Sequence, residues 1–227
     1  MKQSTLLSTY CACVLFFFTT SAYAVTTTYS SQANFFTALG SATVNTENFD
    51  ALTPGTTLAS GSTLGGATLS YSLGGALISV ENEFDTTSLN NYIGTNDGSG
   101  AFLGGDSFTI TFDQVIHAIG LYVISADVIF ADDFTISTNG GQSVTNSDVP
   151  DITLTDGDAF YLGLIEDDFN LGFTSITLSS FDDNYLFNVD DITAAQISPV
   201  PLPAAAWLFA SGLLGLAGIR RRKKINL

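Results

Sequence analysis

From Val25 to Ser198 this chain has no lysine, no arginine and no cysteine. Without Lys or Arg the segment cannot neutralise phosphates, which excludes the usual electrostatics of nucleic-acid binding, and it lacks the lysine of a P-loop. Without cysteine it has no disulfide framework, no thiolate zinc site and no cysteine nucleophile. Histidine is nearly absent too. His117 is the single one, so a site needing two or three imidazoles cannot form. It falls between Val115-Ile116 and Ile119-Gly120-Leu121, where a packed strand histidine is the simpler reading than a base, because no activated nucleophile stands beside it. Serine is common, yet no Gly-x-Ser-x-Gly elbow occurs, and no repeat marks a solenoid.

What the segment does have is acid. All 22 Asp and Glu lie inside it, while the six Lys and Arg are Lys2 and Arg220, Arg221, Arg222, Lys223 and Lys224. Charge is therefore segregated by position, with an anionic middle between basic ends. At the front, Lys2 is a basic n-region, Leu6 to Phe18 a short apolar h-region, and Ala22-Tyr23-Ala24 a cleavage site, so residues 1–24 read as a signal peptide cut after Ala24. The apolar run is too short to span a bilayer. Cys11 and Cys13 leave with it, and stability of the rest must come from burial.

At the back, Val200-Pro201-Leu202-Pro203-Ala204 leads into an apolar run to Ile219 and then the block 220–224. A helix over 202–219 would rise about 27 Å, close to a ~30 Å hydrocarbon core. Pro203 is tolerated in its first turn, Trp207 suits the outer interface, and the five cations hold the C-terminus in the cytoplasm, leaving the acidic segment outside. Ser211 and Gly215 form a small-xxx-small face for docking another helix. The domain plan is thus 1–24, 25–198 and 199–227.

This motif, helix and basic cluster, in this order, resemble the VPLPA-CTERM variant of the PEP-CTERM protein-sorting signals. The resemblance covers about the last 25 residues, with Pro-Leu-Pro where the commoner form has Pro-Glu-Pro. It implies that signal peptidase and the secretion machinery export the chain across the inner membrane of a Gram-negative bacterium. An exosortase would then recognise Val200 to Ala204 and remove the helix, leaving the protein at the cell surface or in the extracellular polysaccharide matrix. Such a tail is an address and not an activity.

The middle reads as short strands. Phe108, Ile110 and Phe112 alternate within Ser107 to Phe112, as do Ile119, Leu121 and Val123, and Phe160, Leu162 and Leu164. Phe134 to Ser137, Phe173 to Leu178 and Phe187 to Thr193 are further strands, punctuated by Asn139-Gly140-Gly141 and Thr155-Asp156-Gly157-Asp158. Many short antiparallel strands with one apolar face predict a single β-sandwich. One helix is predicted, Gln32 to Leu39, with Ser31 as cap and Phe35, Phe36 and Leu39 on one side. Gln32-Ala33-Asn34-Phe35-Phe36, Glu47-Asn48-Phe49-Asp50, Ile110-Thr111-Phe112-Asp113 and Phe187-Asn188-Val189-Asp190-Asp191-Ile192 resemble the jelly-roll sandwiches found ahead of PEP-CTERM tails.

The acids cluster. Glu81, Glu83 and Asp85 alternate as if on one strand face, Asp132-Asp133, Glu166-Asp167-Asp168, Asp182-Asp183 and Asp190-Asp191 are adjacent, and Asn96-Asp97-Gly98 is a turn. No internal cation offsets this charge, so metal or salt must. Calcium suits such oxygen donors, although no EF-hand loop is present. A solvated acidic surface explains the same composition. The candidate ligands are Asp190, Asp191, Asp132 and Asp133 with Glu47, of which Asp190 and Glu47 are those the jelly-roll resemblance implies.

Two function classes remain. One is a noncatalytic surface or matrix protein that binds polysaccharide, with Tyr92, Tyr122, Tyr161 or Tyr185 stacking on sugar rings, although each tyrosine is more simply a packing residue. The other is a glycan-degrading enzyme with two carboxylates ~5–10 Å apart, one of them held protonated in a cleft.

Overall fold

The computed structural model describes residues 25–168, 170–181 and 185–197, with Phe209, Ser211 and Gly212. The expected signal peptide, residues 1–24, the motif 200–204 and the basic block 220–224 lie outside the described residues. Of the expected membrane helix only those last three are described, all helical. Among the described residues no helix is long and apolar enough to cross a membrane.

In chain order the elements are β1 Thr26–Tyr29, α1 Gln32–Leu39, β2 Thr43–Glu47, β3 Thr57–Leu58, β4 Thr63–Leu64, β5 Ala67–Tyr71, β6 Ile78–Glu81, β7 Tyr92–Thr95 and β8 Phe102–Leu103. They continue as β9 Ser107–Ile116, β10 Ala118–Ser125, β11 Phe134–Thr138, β12 Ser143–Thr145, β13 Ile152–Thr153, β14 Asp158–Glu166, β15 Phe173–Ser180 and β16 Leu186–Gln196. They form two antiparallel sheets. One runs β1-β14-β10-β16-β7-β6-β3, with β13 on β14 and β2 and β8 on β16; the other runs β12-β11-β15-β9-β5-β4. The expected sandwich is present, and all six strands named from the sequence lie within β9, β10, β11, β14, β15 and β16.

Between the sheets, Ile119, Leu121 and Val123 of β10 and Phe160, Leu162 and Leu164 of β14 meet Ile110, Ile136, Ile176 and Leu178. A chain of aromatic contacts fills one end. Phe102 stacks on Phe108 and on Phe187, each at 5.3 Å, and Phe134 meets Phe187 edge-on at 5.0 Å. These pairs add to plain area burial.

The opposite face of β10 and β14 is also covered. Ala118, Tyr122, Ile124, Ala159, Tyr161 and Ile165 form a second apolar cluster with Phe35 and Leu39 of α1, so all eight positions of β10 are buried. Helix α1 matches its expected bounds, with two corrections. Ser31 is extended as an N-cap should be, but its hydroxyl makes no capping bond; instead Asp151, far along the chain, accepts the N–H of Gln32 at 2.9 Å. Phe36 points outward and is 37% exposed.

The helix lies close because two glycines sit opposite each other beneath it, Gly120 and Gly163. A methyl group on Gly120 would meet the Tyr161 hydroxyl at 1.9 Å, and one on Gly163 would meet Phe35 at 2.9 Å. Glycine inside a strand marks such an approach.

Candidate functional site

At one end of the sandwich the sheets part. Strand β2 flanks β16 on one sheet, while β4 and β5 close the edge of the other beyond β9. Gly65 and Gly66, both with positive φ, make the β4–β5 turn that glycine permits. Between these elements runs a groove made of two depressions that share Asn45, Gly65, Phe112 and Ala194 in their lining. Its floor is apolar, with Ile110, Phe112, Ile192 and Ala194 among its residues. Its rim is polar, formed by Asn45, Glu47, Asp113, Gln114 and Gln196. Asn45 Nδ2 donates to Gly65 O at 3.0 Å across the gap between the sheets, Glu47 Oε1 accepts the N–H of Phe49 at 3.0 Å, and Gln196 donates to Gln114 Oε1 at 2.8 Å. An apolar ring in a rim of amides and carboxylates suits a neutral sugar, whose faces are apolar and whose edges carry hydroxyls. The carboxylates disfavour anionic glycans.

No protein-family model matches the chain, and no curated protein matches it. Among solved structures, the K2 cleaved adhesin domain of Lys-gingipain is similar at 12% identity over 66% of this chain and 97% of its own, with a TM-score of 0.45. Two variants of the family 29 carbohydrate-binding module CBM29-2 are similar at 15% and 16% identity, over 68% and 70% of this chain and 92% and 99% of theirs, each with a TM-score of 0.29.

The five candidate calcium ligands do not come together. Glu47 faces the groove. Asp132 and Asp133 lie beside β11, where Asp132 Oδ1 accepts the Thr145 hydroxyl at 2.5 Å and Asp133 Oδ2 accepts the N–H of Phe130 at 2.6 Å. Asp190 and Asp191 are buried in β16. Among the described residues no three His, Cys, Asp or Glu side chains converge as a metal-binding group.

Asp190 and Asp191 have another evident task. Gly120 pairs with Thr193 and Tyr122 with Asp190, so Asp191 and Ile192 together oppose one residue and form a β-bulge, with Asp191 at φ 51°. The bulge is met by the loop 86–91. Asp190 Oδ2 accepts from the hydroxyls of Thr86 and Thr87 and from the Ser88 N–H, and Oδ1 from the Asp191 N–H. The Thr87 hydroxyl lies 3.0 Å from Asp191 Oδ2 as well, so the two carboxylates flank one donor. On the loop's other side Asp50 accepts the N–H groups of Leu89, Asn90 and Asn91. For Asp50 those backbone donors outweigh partial burial and hold the carboxyl below its usual range. Burial raises Asp190 against the pull of its donors. Burial first, then the Asp190 charge, pushes Asp191 up to about 6. With its oxygens engaged by these N–H and O–H donors, Asp190 staples the loop 86–91 to the bulge.

Other expectations change as well. Glu81 ends β6, whereas Glu83 and Asp85 follow it outside any strand. Glu81 and Glu83 share a polar cleft with Asn96, while Asp85 accepts the Thr155 N–H at 3.1 Å. Tyr92, Tyr122 and Tyr161 are fully buried and so cannot stack on sugars, and Tyr185 is half-buried against the core. Tyr122 donates to Asp151 at 2.6 Å. His117 is buried at the bend between β9 and β10, its backbone N–H donating to Ala195 O at 2.9 Å, so it is a packed residue beside the strands and not within one. Phe112 is the aromatic residue that the groove presents; alternation marks it as a core position and carries no sign that a gap lies beside it.

Proposed function

We propose that this chain is an exported, noncatalytic surface or matrix protein that holds a neutral polysaccharide in the groove between β2, β5, β9 and β16. The observation that carries the reading is the groove's composition: the Phe112 ring and an apolar floor, framed by Asn45, Glu47, Asp113, Gln114 and Gln196. Export by the signal peptide, processing by an exosortase at Val200 to Ala204, and a jelly-roll ancestry of the sandwich belong to the same proposal and rest on the sequence resemblance. The acidic, cation-free domain fits it by staying soluble in a polysaccharide matrix. A hydrolytic reading needs a carboxyl held protonated beside an ionised partner within a cleft. The carboxyls that burial raises, Asp190 and Asp191, line neither depression of the groove, which favours binding over hydrolysis.

Affinity electrophoresis of the full chain through gels containing neutral glucan, mannan or galactan, with a polyuronate as control, tests this. At least one neutral polymer should retard the protein and the polyuronate should not. Phe112→Ala should weaken retention about tenfold, a loss of ~1.4 kcal/mol, with Gln114→Ala acting in the same direction. Retention unchanged in Phe112→Ala would remove the groove from the account.

A further inference from the structure

The end of the sandwich opposite the groove carries an apolar surface that no described residue covers. Strand β16 runs from Leu186 at this end to Gln196 at the groove, about 33 Å at ~3.3 Å per residue. Here Val128 is 74% exposed, Phe130 61%, Val149 67% and Phe181 86%, with Leu103 and Leu186 about half exposed. These six residues come from four segments, and hydrogen bonds bring them together. Leu103 pairs with Leu186, and Asp127 Oδ2 accepts the Leu186 N–H at 2.9 Å. Asp133 accepts the Phe130 N–H through its side chain and the Phe181 N–H, at 2.7 Å, through its carbonyl. Buried Asn146 ties the last loop in, donating to Phe130 O at 2.8 Å and Ser147 O at 2.9 Å while accepting the Phe134 N–H at 2.8 Å.

Buried polar groups thus fix the loops while their apolar side chains face water. Rigid loops holding two phenyl rings and two valines in solvent cost hydrophobic free energy that only a partner recovers. Charge selects the partner. Asp127, Asp132 and Asp148 stand exposed among these residues, and no Lys or Arg occurs between residues 25 and 198. A second copy of the domain or an anionic bilayer would be repelled. Among the described residues the amide tied to these loops, Asn146, is buried and engaged in three hydrogen bonds, so it offers no exposed group of the kind a sugar platform uses.

We infer that this end docks a polypeptide segment that presents apolar side chains flanked by Lys or Arg, with Phe130 and Phe181 as the anchors. Aromatic anchors in an apolar centre with charges at the rim are the anatomy of a protein interface.

The test uses the full chain in phosphatidylcholine nanodiscs and, as probe, a synthetic amphipathic helix of leucine and lysine, with its leucine–glutamate counterpart as control. The lysine helix should bind, more weakly as salt rises, and about tenfold more weakly to the Phe130→Ser, Phe181→Ser double variant. The glutamate helix should not bind. Both rings are exposed, so the variant should melt with the wild type; Val128→Ser with Val149→Ser probes the same surface independently. Equal binding to wild type and both variants, equal binding of the two helices, or no binding overturns the inference. So does a double variant that loses a neutral glucan but keeps the lysine helix, since the rings would then be a sugar platform.

Discussion

Replacing Phe35 with alanine is expected to destabilise the fold by about 3–5 kcal/mol, the usual cost of emptying a buried phenylalanine site. Phe35 is fully buried, meets Tyr29 edge-on at 5.8 Å and Tyr161 at 5.5 Å, and sits over Gly163. Its removal leaves Tyr161 and Tyr122 facing a cavity under α1. Phe36 is its internal control: one residue on and pointing outward, its alanine variant should fall within about 1 kcal/mol of wild type. Urea denaturation of the two variants makes the comparison. Equal midpoints would mean that α1 does not cover the sheet.

The second large effect concerns the buried carboxylates of the bulge. Asp191 has its carboxyl pushed from 3.8 up to about 6, so between those values the folded state binds a proton that the unfolded state does not. Stability linked to this group therefore rises as pH falls from 7 towards 4, and is lost as pH rises through about 6. Asp191→Asn removes the charge, keeps an acceptor for Thr87 and tolerates the positive φ. It is expected to stabilise the protein at pH 7 by about 1–2 kcal/mol, a figure discounted for solvent screening, and to gain nothing at pH 4. The difference between variant and wild-type melting temperatures across pH 4 to 8 isolates Asp191 from acids such as Asp50, whose lowered pKa acts in the opposite sense. A variant less stable than wild type at pH 7 would show that the Thr87 bond, and not the charge, dominates.

The strands that could be read in advance lie from β9 onward: β9, β10 and β14 carry three apolar residues in alternation, and β11, β15 and β16 are runs set off by turn residues. Those of residues 26–103 could not, because β2 is Thr-Val-Asn-Thr-Glu and mostly exposed, and β3, β4 and β8 are two residues long. Alternation also shows which side chains share a face without showing whether that face is covered. Tyr122 and Tyr161 therefore looked available to sugars when they are the floor under α1. The signal that could have told otherwise was Gly120 and Gly163 inside two strongly apolar strands.

The bulge was half legible. Val189-Asp190-Asp191 stood out as acids in an apolar strand, but their partners Thr86, Thr87 and Ser88 lie about a hundred residues away, in a stretch without periodicity. The groove was not legible at all. It is a gap between sheets, bordered by residues 45, 65, 112 and 194, and a gap is a property of packing that no local pattern encodes.

The claim on which the account rests is that the acidic sandwich works outside the cell, freed from both apolar ends. Mass spectrometry of the protein recovered from the cell exterior, in cells with and without their exosortase, measures this directly. The account predicts a species that begins at Val25 and lacks the segment from Trp207 to Leu227 when the exosortase is present, and one that retains that segment in the membrane when it is absent. An intact chain from Met1 to Leu227 found in the cytosol of both would contradict it.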